Sequence, residues 1–119
     1  MKKLLVFTAL AEGGTGVVLA AYPPIVVRLL FGEGISGAGV ITSRLAGFGL
    51  IALGVACWPK EGSVRPFHGM MTWSVLAMLY LIYVGIRGEA VGLLLWPAVV
   101  AHLILVVLLV GAHFKERMK

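Results

Sequence analysis

Four stretches of this chain, Leu4 to Tyr22, Gly37 to Trp58, Phe67 to Ile86 and Ala90 to Phe114, are long and almost free of charge. A helix needs roughly 20 mostly apolar residues to cross a hydrocarbon core about 30 Å thick, and each stretch is of that length. Such runs are too long for the strands of a small barrel, which would also alternate polar and apolar residues. Where every face is apolar the period of the pattern says little, so length decides for helix. The composition agrees: 61% of residues are hydrophobic and 13% charged, about half the charged share of an ordinary soluble domain. The expectation is an all-α polytopic membrane protein, an antiparallel bundle of four transmembrane helices forming a single domain over residues 1–119.

The connections fit this reading. Pro59 to Pro66 is a turn bracketed by prolines, and Arg87-Gly88-Glu89 is short enough to make the third and fourth helices a hairpin. Between the first two helices, Pro23 to Phe31 begins with the residue that suits a first helical turn and is too short to span, so a short interfacial helix is expected there. Trp96-Pro97 is expected to kink the fourth helix, because proline removes a backbone hydrogen bond and crowds the preceding turn. Met1-Lys2-Lys3 followed by an apolar run and Ala9-Leu10-Ala11 resembles a signal peptide. Cleavage there would leave an apolar region of only about seven residues, so the segment is read as a genuine span.

The net charge of +5 would suggest nucleic acid in a soluble protein, but a basic excess also arises from orienting helices in a membrane. The basic residues are divided among separate helix ends without interleaved aromatics, which excludes a nucleic-acid surface. Lys2, Lys3, Lys60, Arg65, Lys115, Arg117 and Lys119 fall on the side shared by the termini and the second loop, against Arg28 and Arg87 on the other. This asymmetry places both termini in the cytoplasm, as a multi-pass protein of a bacterial inner membrane.

Within the spans, Glu12 and Arg44 are the residues that bilayer energetics disfavour. Each charge costs about 2.5 to 3.5 kcal/mol at a helix centre, so neither should face lipid. Counting helical rise puts Glu12 roughly 15 Å and Arg44 roughly 10 Å below the outer surface, a difference that an arginine side chain can cover. A buried ion pair between them is therefore expected. Thr15 and Tyr80 fall roughly 10 Å deep, and Ser74 and His102 roughly 18 Å deep. Together the six residues form a candidate polar core, serving either to fix helix register or to bind a ligand or proton.

Small residues mark the packing faces. Gly39, Ser43 and Gly47 recur every fourth residue of the second helix, and Gly13, Gly16 and Ala20 line the first. Such stripes let backbones approach closely where no hydrophobic effect drives association. His68 and His113 lie near the inner surface and His102 near mid-depth, so one chain offers no opposed pair of haem ligands. The lone Cys57 excludes an intramolecular disulfide, and no Cys/His spacing suits a metal site. Trp58, Trp96, Tyr22, Tyr80 and Tyr83 read as interfacial anchors. No nucleophile with its base, phosphate loop or pair of catalytic carboxylates is recognisable, so no cofactor and no enzymatic activity are expected.

In length and hydropathy most of the chain resembles small bacterial four-helix membrane proteins, loosely of DoxX-like type, many without an assigned activity. Within the first helix, Ala11-Glu12-Gly13-Gly14-Thr15 is similar to the segment around the membrane glutamate of small multidrug-resistance transporters. That resemblance implies a Glu12 that binds proton and cationic substrate alternately within an antiparallel dimer. The chain departs from that family in Arg44, in its longer first loop and in lacking an Ala-Tyr-Ala-x-Trp signature in the third helix. The leading functional expectation is a non-enzymatic membrane subunit or scaffold, packed with itself or a larger membrane complex and surrounded by lipid, with room for a lipid-like ligand. The alternatives are a proton-coupled transporter centred on Glu12 and an electron-transfer subunit using His102.

Overall fold

In a computed structural model describing residues 1–119, the chain is all-helical: α1 (Lys2–Ala21), α2 (Pro23–Phe31), α3 (Ala38–Ala56), α4 (Arg65–Arg87) and α5 (Leu95–Arg117). All but α2 are long and apolar enough to cross a membrane. They run alternately up and down, and the Met1 amine lies 3.6 Å from Glu116 Oε1, so both chain ends meet at one end of the bundle.

Burial is inverted relative to a water-soluble protein. Only 17 of 119 residues are buried, while Ile41, Ile86 and Leu93 are 71%, 75% and 81% exposed. An outer surface this apolar belongs against hydrocarbon, and polar side chains then belong inside. Helix association must rest on close packing instead of the hydrophobic effect. The α1–α3 contact shows how. A Cβ at Gly16 would lie 2.6 Å from the Gly47 carbonyl oxygen, one at Gly47 2.6 Å from the Ala20 nitrogen, and one at Gly54 2.8 Å from the Ala9 oxygen. The backbones touch at these three points, and any side chain there would force them apart.

The second tight pair is α4 with α5, where Trp96 covers Gly85. The two hairpins, α1/α3 and α4/α5, meet more sparingly. α1 touches α3, α4 and α5, whereas α3 and α5 do not touch, so α1 lies between them. The result is a slab of 50 × 27 × 16 Å. Its thickness is little more than one helix with its side chains.

The fourth span begins later than the sequence suggests, at Leu95 instead of Ala90. The residues from Gly88 to Leu94 instead tie the loop to α2: the N–H groups of Gly92 and Leu94 donate to the carbonyls of Leu30 (2.8 Å) and Leu29 (2.7 Å) at the end of that helix. Helix C-terminal carbonyls lack partners within their own helix, and this loop supplies them. Gly32, with φ +75°, closes α2 in the left-handed conformation that glycine adopts without strain. Because α5 starts at Leu95, Pro97 falls in its first turn, where no intrahelical bond is lost. The kink expected at Trp96-Pro97 is thus replaced by a helix start.

Candidate polar site between the hairpins

Leu5, Cys57, Met70 and Leu109 pack together as an apolar cluster nearest the chain termini. One turn further into the bundle the lining becomes polar. Thr8 follows Leu5 and Ser74 follows Met70 on the same helix faces, and both are fully buried. Seven residues beyond Leu5 on α1 and seven before Leu109 on α5, roughly 10 Å deeper, stand Glu12 and His102. Glu12 Oε1 lies 3.4 Å from His102 Nε2, with side chains 10% and 15% exposed. Beyond them Leu81, Leu95 and Val99 form a second apolar cluster. A polar layer is therefore held between two apolar ones.

The hydrogen-bond geometry restricts its chemistry. His102 Nδ1 lies 2.8 Å from the Ala98 carbonyl oxygen, one turn back on α5. A carbonyl only accepts, so Nδ1 carries the hydrogen and donates. Nε2 is then left to face the carboxylate. At 3.4 Å the contact is of ion-pair length, longer than a formed N–H···O bond, and Nε2 has no hydrogen-bond partner. For the two atoms to attract, one proton must lie between them, on Nε2 as imidazolium or on the carboxyl group. Without it, a carboxylate lone pair would face an imidazole lone pair in a low-dielectric interior. Ser74 Oγ and Trp73 Nε1 are also buried without a partner. Thr8 satisfies its hydroxyl within its own helix by donating to the Leu5 carbonyl (3.0 Å).

The expected Glu12–Arg44 pair does not form. Arg44 is exposed on α3, which packs on α1 and makes no contact with α5, whereas Glu12 points to α5. Thr15 is exposed, with its hydroxyl on the Ala11 carbonyl (2.8 Å). Tyr80 is 64% exposed and stacks with Tyr83 at a centroid distance of 6.2 Å. Of the candidate core, Glu12 and His102 come together and Ser74 is buried; Arg44, Thr15 and Tyr80 lie outside it. Thr8 is an additional buried polar residue on the Glu12 face of α1, and Trp73, its Nε1 buried without a partner, packs against the terminal apolar cluster. Thr8 is legible in the sequence as the residue one turn before Glu12 on the same face.

Among the packing residues, Gly16 and Gly47 meet directly, and Gly13 offers its backbone to Gly54. Gly39 is near only Ile35, and Ser43 is half-buried. Gly54, two turns beyond Gly47 on the same face, is the contact that the four-residue spacing passes over.

Two further features flank the site. On the membrane-facing side of α1 and α3 runs an apolar groove of about 570 Å³ lined by residues including Leu10, Gly13, Gly14, Val17, Val55 and Trp58. At the end carrying the termini, Val64, His68, His113, Glu116 and Arg117 line a more polar cleft of about 480 Å³. There His113 stacks on Phe67 with centroids 4.5 Å apart. No three His, Cys, Asp or Glu side chains converge as a metal site would require.

No family model matches the chain, and no characterised protein or solved structure is significantly similar to it.

Proposed function

We propose that the chain is a non-enzymatic integral membrane subunit, a four-span scaffold that packs with copies of itself or with a larger membrane complex. The observation that carries this reading is the groove between α1 and α3. A side chain added at Gly13 or Gly14 would meet nothing within 4 Å, although the same two helices are in backbone contact at Gly16, Gly47 and Gly54. A smooth glycine surface open to the bilayer is one on which another helix can seat closely. The buried ionisable groups are turned to each other and away from this groove, as a scaffold requires. On the Lys and Arg asymmetry, the end bearing both termini faces the cytoplasm of a bacterial inner membrane. Lipid covers the remaining apolar surface, and a lipid-like molecule is the ligand that the groove's apolar lining suits.

Gly14→Leu enters the groove from a position where an added Cβ meets nothing within 4 Å. Native mass spectrometry of protein extracted in its own lipids should then show loss of self-association or of a co-purifying partner. Unchanged mass and unchanged companions would count against the scaffold reading.

A second reading, proton-coupled transport centred on Glu12, is favoured by one observation. The partner of Glu12 is a histidine, whose charge can change, in place of a permanently charged arginine. Proton-driven uptake into proteoliposomes that disappears in Glu12→Gln would support it, and uptake indifferent to that substitution would exclude it.

A further inference from the structure

We propose that Glu12 and His102 form a binding site for one exchangeable proton, and that this proton can leave only when the two helical hairpins separate. The inference concerns the polar layer, not the α1–α3 groove, and stands or falls independently of the scaffold reading.

Stoichiometry follows from the donors and acceptors. With Nδ1–H committed to the Ala98 carbonyl, the Nε2–Oε1 contact accommodates a single hydrogen. A second proton on the pair would leave two donors opposed, and none would leave two acceptors opposed. The closed arrangement is therefore the one-proton form. Release transfers that proton to water and leaves a carboxylate beside a neutral imidazole, with no other bond made or broken.

Coupling to motion follows from the surroundings. Leu5, Cys57, Met70 and Leu109 close the layer towards the termini, and on the α4–α5 hairpin Leu81, Leu95 and Val99 pack beyond it. The residual exposure of Glu12 and His102, 10% and 15%, is to the bilayer interior, so water reaches the proton when the terminal cluster parts. The terminal cluster joins side chains of both hairpins, Leu5 and Cys57 with Met70 and Leu109, whereas the backbone-to-backbone glycine contacts of the spanning helices lie within one hairpin, between α1 and α3. At the opposite end, backbone bonds from Gly92 and Leu94 to α2 hold the hairpins together, whereas at the terminal end, beyond the turn between α3 and α4, the hairpins are joined by the side-chain cluster and the 3.6 Å contact of the Met1 amine with Glu116, and it is these that part. The weak seam of the molecule thus coincides with the proton site. Once open, the deprotonated pair resists closing, because reclosure would bury an uncompensated carboxylate.

Other titratable groups surround the pair at greater distance. Cys57, at the end of α3, is buried in the terminal apolar cluster, and Arg44 of α3 is exposed. α4 presents the hydroxyl of Ser74 and the indole of Trp73, neither of which titrates. His68 and His113 lie in the cleft at the terminal end, and Arg28 of α2 lies at the opposite end.

Spin labels at Val55 on α3 and Val107 on α5, both lipid-facing, would read the seam in a Cys57→Ser background. That background removes the competing thiol. One chain per lipid nanodisc keeps assembly from contributing, so a failure here is separable from a failure of the scaffold reading. The interlabel distance should lengthen as pH rises, in a transition that fits a single proton. Glu12→Gln should hold the short distance at every pH, because its amide N–H donates to Nε2 without a titratable proton. If Glu12→Gln does not fold, the double variant Glu12→Leu/His102→Leu, which leaves no titratable group in the layer, replaces it, and the pH transition must vanish there as well. A distance that ignores pH, or that moves in the variant as in the parent, overturns the proposal.

Discussion

Glu12 Oε1 and His102 Nε2 lie 3.4 Å apart and link the first transmembrane helix to the last. Each belongs to a different hairpin, so the contact crosses the seam along which the molecule is least tightly packed. Its Nδ1–H being fixed by Ala98, His102 presents a defined nitrogen to Glu12, and the pair is attractive only with a shared proton.

Removing either partner should cost more than removing both. Glu12→Leu leaves Nε2 without a partner, and His102→Leu leaves a buried carboxyl group alone, each at about 1 to 3 kcal/mol. The double variant should recover part of this, giving a coupling energy of about 0.5 to 3 kcal/mol in a double-mutant cycle read from unfolding in bicelles. Glu12→Gln should lie nearer the parent than Glu12→Leu. Additive losses would show that the residues do not interact.

Arg44 is exposed and makes no ion pair. Arg44→Gln should therefore change stability by no more than about 0.5 kcal/mol and should leave the effect of Glu12→Gln unaltered. A large loss from Arg44→Gln, rescued by neutralising Glu12, would restore the ion pair that the sequence suggests.

Those contrasting positions mark how far the sequence is readable. The four spans, the short helix starting at Pro23 and the shared end of the termini follow from length, hydropathy and proline placement, all of which act locally. The partner of Glu12 does not. Helical rise puts Arg44 and His102 both within reach in depth, but depth leaves the rotation of each helix undetermined. That rotation is set by the glycine contacts Gly16, Gly47 and Gly54, which place α3 on one side of α1 and leave Glu12 to α5. Likewise Trp96-Pro97 looks like a kink until the carbonyls of Leu29 and Leu30 are seen to recruit Gly92 and Leu94, a long-range demand that moves the helix start to Leu95.

The α1–α3 contact gives a test by contrast. At Gly47 a side chain would enter the backbone of α1, 2.6 Å from the Ala20 nitrogen, and Gly47→Leu should cost at least about 1 to 3 kcal/mol as overpacking. At Gly13, where nothing lies within 4 Å, Gly13→Ala should be neutral or stabilising by up to about 1 kcal/mol through helix propensity. Thermal melts in detergent compare the two, and equal effects would contradict the packing described.

Topology offers an independent check on orientation. The Met1 amine near Glu116 requires the two ends to share one side, and the proposal from the Lys and Arg asymmetry is that this side is the cytoplasmic one. Activity reporters fused at Met1 and at Lys119 should both give the inner-side signal, whereas opposite signals from the two ends would be incompatible with an even number of spans.

The ring nitrogens of His102 test the shared proton most directly. Nitrogen-15 NMR of histidine-labelled protein, with His68→Gln and His113→Gln removing the other signals, reports which nitrogen is protonated. Nδ1 is expected to carry its hydrogen throughout the accessible pH range, while the Nε2 resonance shifts with pH and stops doing so in Glu12→Gln. A bare Nδ1, or an Nε2 resonance that titrates identically with and without the Glu12 carboxyl group, would contradict a proton held between the two residues.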